Sequence, residues 1–152
     1  MINQVKLFFE RHLTLLAPED NAEKTLQLAA AALFMEMMAM DDICEPKERE
    51  VILSLLQQNF SLSPEHAASL MELAEQQRKQ ATDYFEFTSL INKTYSLEQK
   101  TLLIESLWKI AFIDNVLDIQ EEYLVRKIAK LLHVPDSALV MAKERVKAGK
   151  EI

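Results

Sequence analysis

Glycine is nearly missing from this chain, occurring once among 152 residues, at Gly149, and β-branched residues are few and scattered. Ala, Leu, Glu, Gln, Lys and Met are plentiful instead, which predicts an all-helical protein and leaves no glycine-rich loop to cradle phosphate. One cysteine, Cys44, excludes an internal disulfide and a multi-thiolate zinc site and agrees with a reducing compartment. Long apolar runs are lacking too. The longest, Leu28 to Met35, stops at Glu36, well short of the roughly 20 residues that span a bilayer. The N-terminus carries only Lys6 before Glu10 and no small-residue cleavage site, so a signal peptide is not expected and the cytoplasm is the expected location. Positive charge is in deficit, with 17 Lys plus Arg against 24 Asp plus Glu and a formal net charge of -7, a balance that repels nucleic acid.

What is present fits one globular domain with a sizeable core, 49% of residues being hydrophobic. Leu26, Ala29, Ala30, Leu33, Phe34 and Met37 fall on one helical face, as do Leu103, Leu107, Ile110 and Ala111. Start signals divide the chain. Ser63-Pro64-Glu65 offers a hydroxyl cap followed by proline at the first helical position, and Ser96-Leu97-Glu98-Gln99 has the spacing of a capping box. Asp118-Ile119-Gln120-Glu121 is the acidic variant, and Pro46 starts another helix after Glu45. Helices are expected near residues 2–14, 22–40, 46–59, 64–80, 83–93, 97–113, 119–132 and 137–147, joined by short connections. Residues 1–20 form a first helix and connection, 21–147 the domain and 148–152 a tail.

The chain also repeats itself. Residues 39–48 align with 112–121 at a constant offset, 114 − 41 = 73, and the match extends into the flanking helices, Val51-Ile52 against Leu124-Val125 and Leu55 against Ile128. After one deleted residue, Phe60-Ser61-Leu62-Ser63 corresponds to Leu132-His133-Val134-Pro135. Two copies of helix, acidic turn and helix predict a pseudo-symmetric bundle rather than a solenoid, which needs three or more stacked units.

Each turn carries carboxylates at matching places: Asp41, Glu45 and Glu48, then Asp114, Asp118 and Glu121. Such a set can offer oxygen ligands to a hard cation such as Ca²⁺ or Mg²⁺. The competing explanation is structural. Acids at a helix start are stabilised by its dipole by about 0.3–1 kcal/mol each, Asp118 and Glu121 form a capping pair, and Asp42 and Asn115 suit a left-handed backbone. An EF-hand is excluded, because loop positions 3, 6 and 12 are Ile43, Pro46 and Ile52 in the first turn and Val116, Ile119 and Val125 in the second.

Those turns resemble the twin motif of the TerB-like family, small bacterial helical domains related to tellurite-resistance and stress-response proteins. The motif, Ala-x-Asp-Gly-x-Ile-x-x-x-Glu, matches Asp41 and Glu48 in the first copy and Asp114 and Glu121 in the second, with Leu117 as its apolar residue. Asp42 and Asn115 replace the motif's Gly, and Ile43 and Val116 replace the acid that often follows it. The segments Ala81 to Thr88 and Leu107 to Ala111 are similar to the family as well, so the resemblance covers about residues 24 to 146. It implies a helical bundle, a cytoplasmic or membrane-peripheral role, no established catalysis and, from similar domains in membrane-anchored co-chaperones, contact with a protein partner.

Catalytic signatures are sparse: there is no His-Glu-x-x-His and no Glu-x-x-His, and His12, His66 and His133 stand apart. Cys44 is expected to be the buried counterpart of Leu117, and Trp108 a core anchor. Met35, Met37, Met38 and Met40 point different ways around a helix, which predicts core filling rather than a soft-metal site. Lys143, Arg145, Lys147 and Lys150 are expected on a solvated helix end, with contact to an acidic partner or membrane surface as the alternative. The expected function is therefore a non-catalytic stress-response or interaction domain. Asp41, Glu48, Asp114 and Glu121, with Glu45 and Asp118 secondary, would hold a divalent cation (Ca²⁺, Mg²⁺ or Mn²⁺) weakly. The alternatives are a metal-free adaptor that binds a protein partner through an exposed apolar groove, and an enzyme, which would need a deep pocket of convergent polar groups. Nucleic acid is not an expected partner, membrane contact is at most peripheral, and no oligomeric state is legible.

Overall fold

Proline and short polar side chains set where the helices begin. The computed structural model describes residues 18–39, 46–80, 85–113 and 118–151. Among these every regular element is helical: α1 Pro18–Met38, α2 Pro46–Phe60, α3 Pro64–Gln80, α4 Phe85–Thr94, α5 Leu97–Ala111, α6 Ile119–Leu131 and α7 Asp136–Glu151. Pro18, Pro46 and Pro64 each open a helix, where the missing N–H costs nothing. Ser63 Oγ accepts from the His66 N–H at 3.2 Å. Before α5 the capping box closes in both directions, Ser96 Oγ accepting from the Gln99 N–H at 3.2 Å and Gln99 Oε1 accepting from the Ser96 N–H at 2.8 Å. The expected helix at 2–14 lies outside the described residues. α1 starts at Pro18 rather than near 22, and α7 continues to Glu151 rather than ending near 147, because Gly149 does not adopt the positive φ that would stop it.

Two helices end alike. Ser61 after α2 and His133 after α6 have φ of 54° and 61°, the only positive values at non-glycine residues among those described. Each is followed by a residue whose N–H returns to a carbonyl five positions back, Leu62 to Gln57 at 3.3 Å and Val134 to Ala129 at 2.9 Å, the bond that closes a Schellman turn. Val134 is buried and Leu62 packs against the core, giving both turns the accompanying apolar contact. The repeat alignment pairs these same two positions. A side chain in the left-handed region costs about 1–2 kcal/mol, part of which glycine recovers. Ser61→Gly and His133→Gly are each expected to raise the unfolding midpoint by about 2–4 °C, measured by scanning calorimetry.

α1 runs through the middle, packing against α2, α3, α4 and α5, while α5 packs against α1, α2, α6 and α7. From Leu28 to Met35 no residue of α1 exceeds 2% exposure. The helix is therefore buried on all sides, not on the single face its periodicity suggests. The four alanines Ala29 to Ala32 provide surfaces with little side-chain bulk for its neighbours. Glu36, one of the few acids on α1, is 3.4 Å from Arg78 of α3, whose guanidinium also donates to Glu75 at 2.8 and 3.0 Å. The Arg78 hydrogen bonds hold the Glu75 carboxyl below its ordinary range, against the opposing effect of burial. Partly exposed pairs of this kind contribute about 1 kcal/mol or less, so they orient α3 on α1 more than they stabilise it.

Candidate functional site

At one end of the bundle the C-termini of α1 and α5 meet the N-termini of α2 and α6. Glu48 is the third residue of α2 and Glu121 the third of α6. Both line one cavity of about 10 Å³, together with Met37 and Met38 of α1 and Ile110, Ala111 and Ile113 at the end of α5. That space matches a single water or a small ion, since one water needs about 10–15 Å³. Glu48 is 7% exposed and Glu121 half-buried. The turn sequences thus deliver two acids, 73 positions apart in the chain (121 − 48), to one shared cavity.

Backbone charge there largely cancels. Two helix N-termini bring about +0.5 each and two C-termini about −0.5 each. Asp118 is engaged otherwise: its exposed carboxylate accepts from the Gln120 N–H at 2.7 Å and caps α6. Asp41, Glu45 and Asp114 lie outside the described residues, as do Cys44, Met40 and His12. Among the described residues no group of three or more His, Cys, Asp or Glu is arranged to hold a metal. Of the three expected ligands among the described residues, Glu48 and Glu121 line one cavity and Asp118 does not.

The remaining expected features are placed as follows. Met35, Met37 and Met38 are buried, at 1%, 2% and 7% exposure, with Met37 and Met38 on the cavity wall. Trp108 is completely buried, and its Nε1 donates to the Leu139 carbonyl of α7 at 3.2 Å. His66 and His133 are exposed. The basic run on α7 is only partly a solvated end: Lys143 Nζ lies 3.5 Å from Glu122 and 5.4 Å from the centre of the Trp108 ring, and Arg145 is 3.4 Å from Glu105. Hydrogen bonding from Arg126, more than the nearby Lys143, keeps the Glu122 carboxyl below its usual range. Two of the four bases therefore fasten α7 to its neighbours.

A second feature was not located by sequence reasoning, which gave an exposed apolar groove only as the surface of the adaptor alternative. At the opposite end of α1, a groove of about 730 Å³ runs between α1, the end of α2, the end of α4 and the start of α5. Leu26, Phe60, Leu90, Leu102 and Leu103 form its apolar floor, and Glu23, Lys93 and Gln99 are among its polar residues. Four separate elements build it, so no local pattern announces it. From Leu26 in the groove to Met37 at the cavity is about 16 Å along α1.

Comparison with known proteins gives one family match. The model described as "Tellurite resistance protein TerB" matches residues 27–144, which includes α2 to α6 and both glutamates. No curated protein and no solved structure matches the chain. No helix among the described residues is long and apolar enough to cross a membrane.

Proposed function

The chain belongs to the TerB family, and from that premise we propose that it is a non-catalytic, cytoplasmic stress-response domain whose working site is the carboxylate chamber at the α1–α2 and α5–α6 ends. In this reading Glu48 and Glu121 are two oxygen donors for a weakly held divalent cation, and Asp41 and Asp114, carried on the two connections that join those helices, complete the set. The observation that supports it is the convergence of Glu48 and Glu121 on one ion-sized cavity.

Charge sets the expected strength. Two carboxylates in a chamber whose helix-end charges cancel leave about −2, and the two aspartates would raise this to about −4. Hard cations such as Ca²⁺ and Mg²⁺ favour such all-oxygen surroundings, but an irregular site lacking a bidentate EF-hand glutamate belongs with dissociation constants of about 0.1–1 mM.

Ten millimolar ion against a 1 mM site stabilises by roughly 1.4 kcal/mol, an expected rise of about 3–6 °C in the unfolding midpoint. Calorimetric and thermal titration with Ca²⁺, Mg²⁺ and Mn²⁺ measures this directly. The double variant Glu48→Gln/Glu121→Gln is expected to lose the response to ion. Absence of both heat and midpoint shift at millimolar ion would remove the cation reading and leave the groove as the surface to pursue.

A further inference from the structure

Gln27 is nearly sealed in the core without a partner. It is 5% exposed, and its side-chain amide makes no hydrogen bond among the described residues. An amide buried unpaired is costly, and native proteins keep few of them. Gln77 Oε1 and Asn92 Oδ1 are closed off from solvent in the same unpaired state, whereas Gln27 lines the groove and retains an opening to it. Helical spacing explains the orientation. Glu23, Leu26 and Gln27 stand at i, i+3 and i+4 on α1, as do Gln99, Leu102 and Leu103 on α5, so each helix turns one face on the same space.

We propose that this groove binds a small uncharged amphiphile, an apolar chain or ring with a hydroxyl or carboxamide head that pairs with the Gln27 amide. Its volume of about 730 Å³ falls within the roughly 300–1,000 Å³ of small-molecule sites, and its make-up matches theirs, an apolar floor with a few polar groups. A hydroxyl or carboxamide both donates and accepts, as the Gln27 amide does. Two further groups border the same space. Asn59 Nδ2 donates to Ser106 Oγ at 3.0 Å, leaving its Oδ1 as an acceptor. Burial, and then the Glu23 carboxylate, push the Tyr95 hydroxyl above its ordinary range, so it is protonated and able to donate. The charged residues select against ionic heads. Glu23 and Lys93 are both exposed and opposite in sign, so together they add no net charge, and each repels a head of its own sign. Binding here requires nothing of the carboxylate chamber at the other end of α1.

Ligands with one chain and different heads test it: octanamide, octanoate and octyltrimethylammonium, each titrated into the isotope-labelled full chain and followed by its amide NMR spectrum. Octanamide is expected to produce saturable shifts at Gln27, Phe60, Tyr95 and Leu103 and to bind at least about threefold more tightly than either ion. Gln27→Leu removes an unpaired polar group and keeps apolar bulk, so the fold is retained, and it is expected to weaken octanamide about three- to tenfold. Leu102→Ser, at an exposed position on the floor, is expected to weaken octanamide through its chain rather than its head, so the preference over the two ions persists. Absence of saturable shifts at the groove would overturn the proposal, as would equal or tighter binding of either ion, or octanamide affinity unchanged by Gln27→Leu or by Leu102→Ser. Shifts there from an amphipathic leucine–lysine peptide but not from octanamide would assign the groove to a protein partner and overturn it equally.

Discussion

Trp108→Ala is expected to lower stability by about 4–5 kcal/mol, at the upper end for a buried aromatic, because the residue joins three kinds of contact at once. Its side chain is completely buried and is the largest in the core. The indole N–H is satisfied by the Leu139 carbonyl, Lys143 Nζ sits over the ring, and the Phe112 ring is tilted at 33° with centroids 6.0 Å apart. Truncation would leave a cavity between α5 and α7 and remove the partner against which the Lys143 ammonium packs. Against a typical total of about 5–15 kcal/mol, such a loss approaches unfolding at physiological temperature. Trp108→Phe keeps most of the volume and should cost about 1–2 kcal/mol, chiefly for the lost hydrogen bond. Urea unfolding followed by far-ultraviolet circular dichroism separates the two, since the substitutions remove the only tryptophan fluorophore. A loss below about 1.5 kcal/mol for Trp108→Ala would mean that α7 is not held through this residue.

Features confined to a few neighbouring residues were legible before any coordinates. The Ser96–Gln99 box and the proline starts depend on groups within about four positions of each other, and the structure forms each as expected. The pairing of Glu48 with Glu121 came from the repeat, which reports equivalence between distant positions that local propensity cannot. That alignment also sets Ser61 opposite His133, and each precedes an apolar residue, so the matched left-handed turns carry a signal in the sequence. Features made by four elements at once were not legible. The groove takes its wall from residues scattered between Glu23 and Leu103, and nothing in their spacing says that they meet. The same limit explains α7: charge composition suggests a solvated end, while Glu105 and Glu122, the acids that engage Arg145 and Lys143, belong to other helices.

The two ends of α1 divide the molecule's chemistry. At its C-terminal end four helix termini converge on carboxylates in a chamber too small for an organic ligand. At its N-terminal half, side chains from four helices border a broad groove whose volume would suit a helix or a small molecule. Such a division requires α1 to be a rigid, fully packed axis. An amphipathic surface helix would expose the flank opposite its apolar stripe and could shift under either site.

Leu28 and Met35 decide that question. On a helical wheel both stand about 170° from the centre of the stripe formed by Leu26, Ala29, Ala30, Leu33, Phe34 and Met37, so a one-faced α1 would put them in water. Their exposures are instead 2% and 1%. Leu28→Ala is therefore expected to cost about 3 kcal/mol, the usual size for a leucine truncated inside a close-packed core, and to lower the unfolding midpoint by about 6–12 °C. Leu102→Ala, at an exposed position on α5, is the matched control, with an expected change within about 0.5 kcal/mol. A cost for Leu28→Ala as small as that of an exposed leucine would return α1 to the surface and undo the geometry that sets Glu48 and Glu121 around one cavity. A cost near 3 kcal/mol fixes α1 as the axis on which both sites are built.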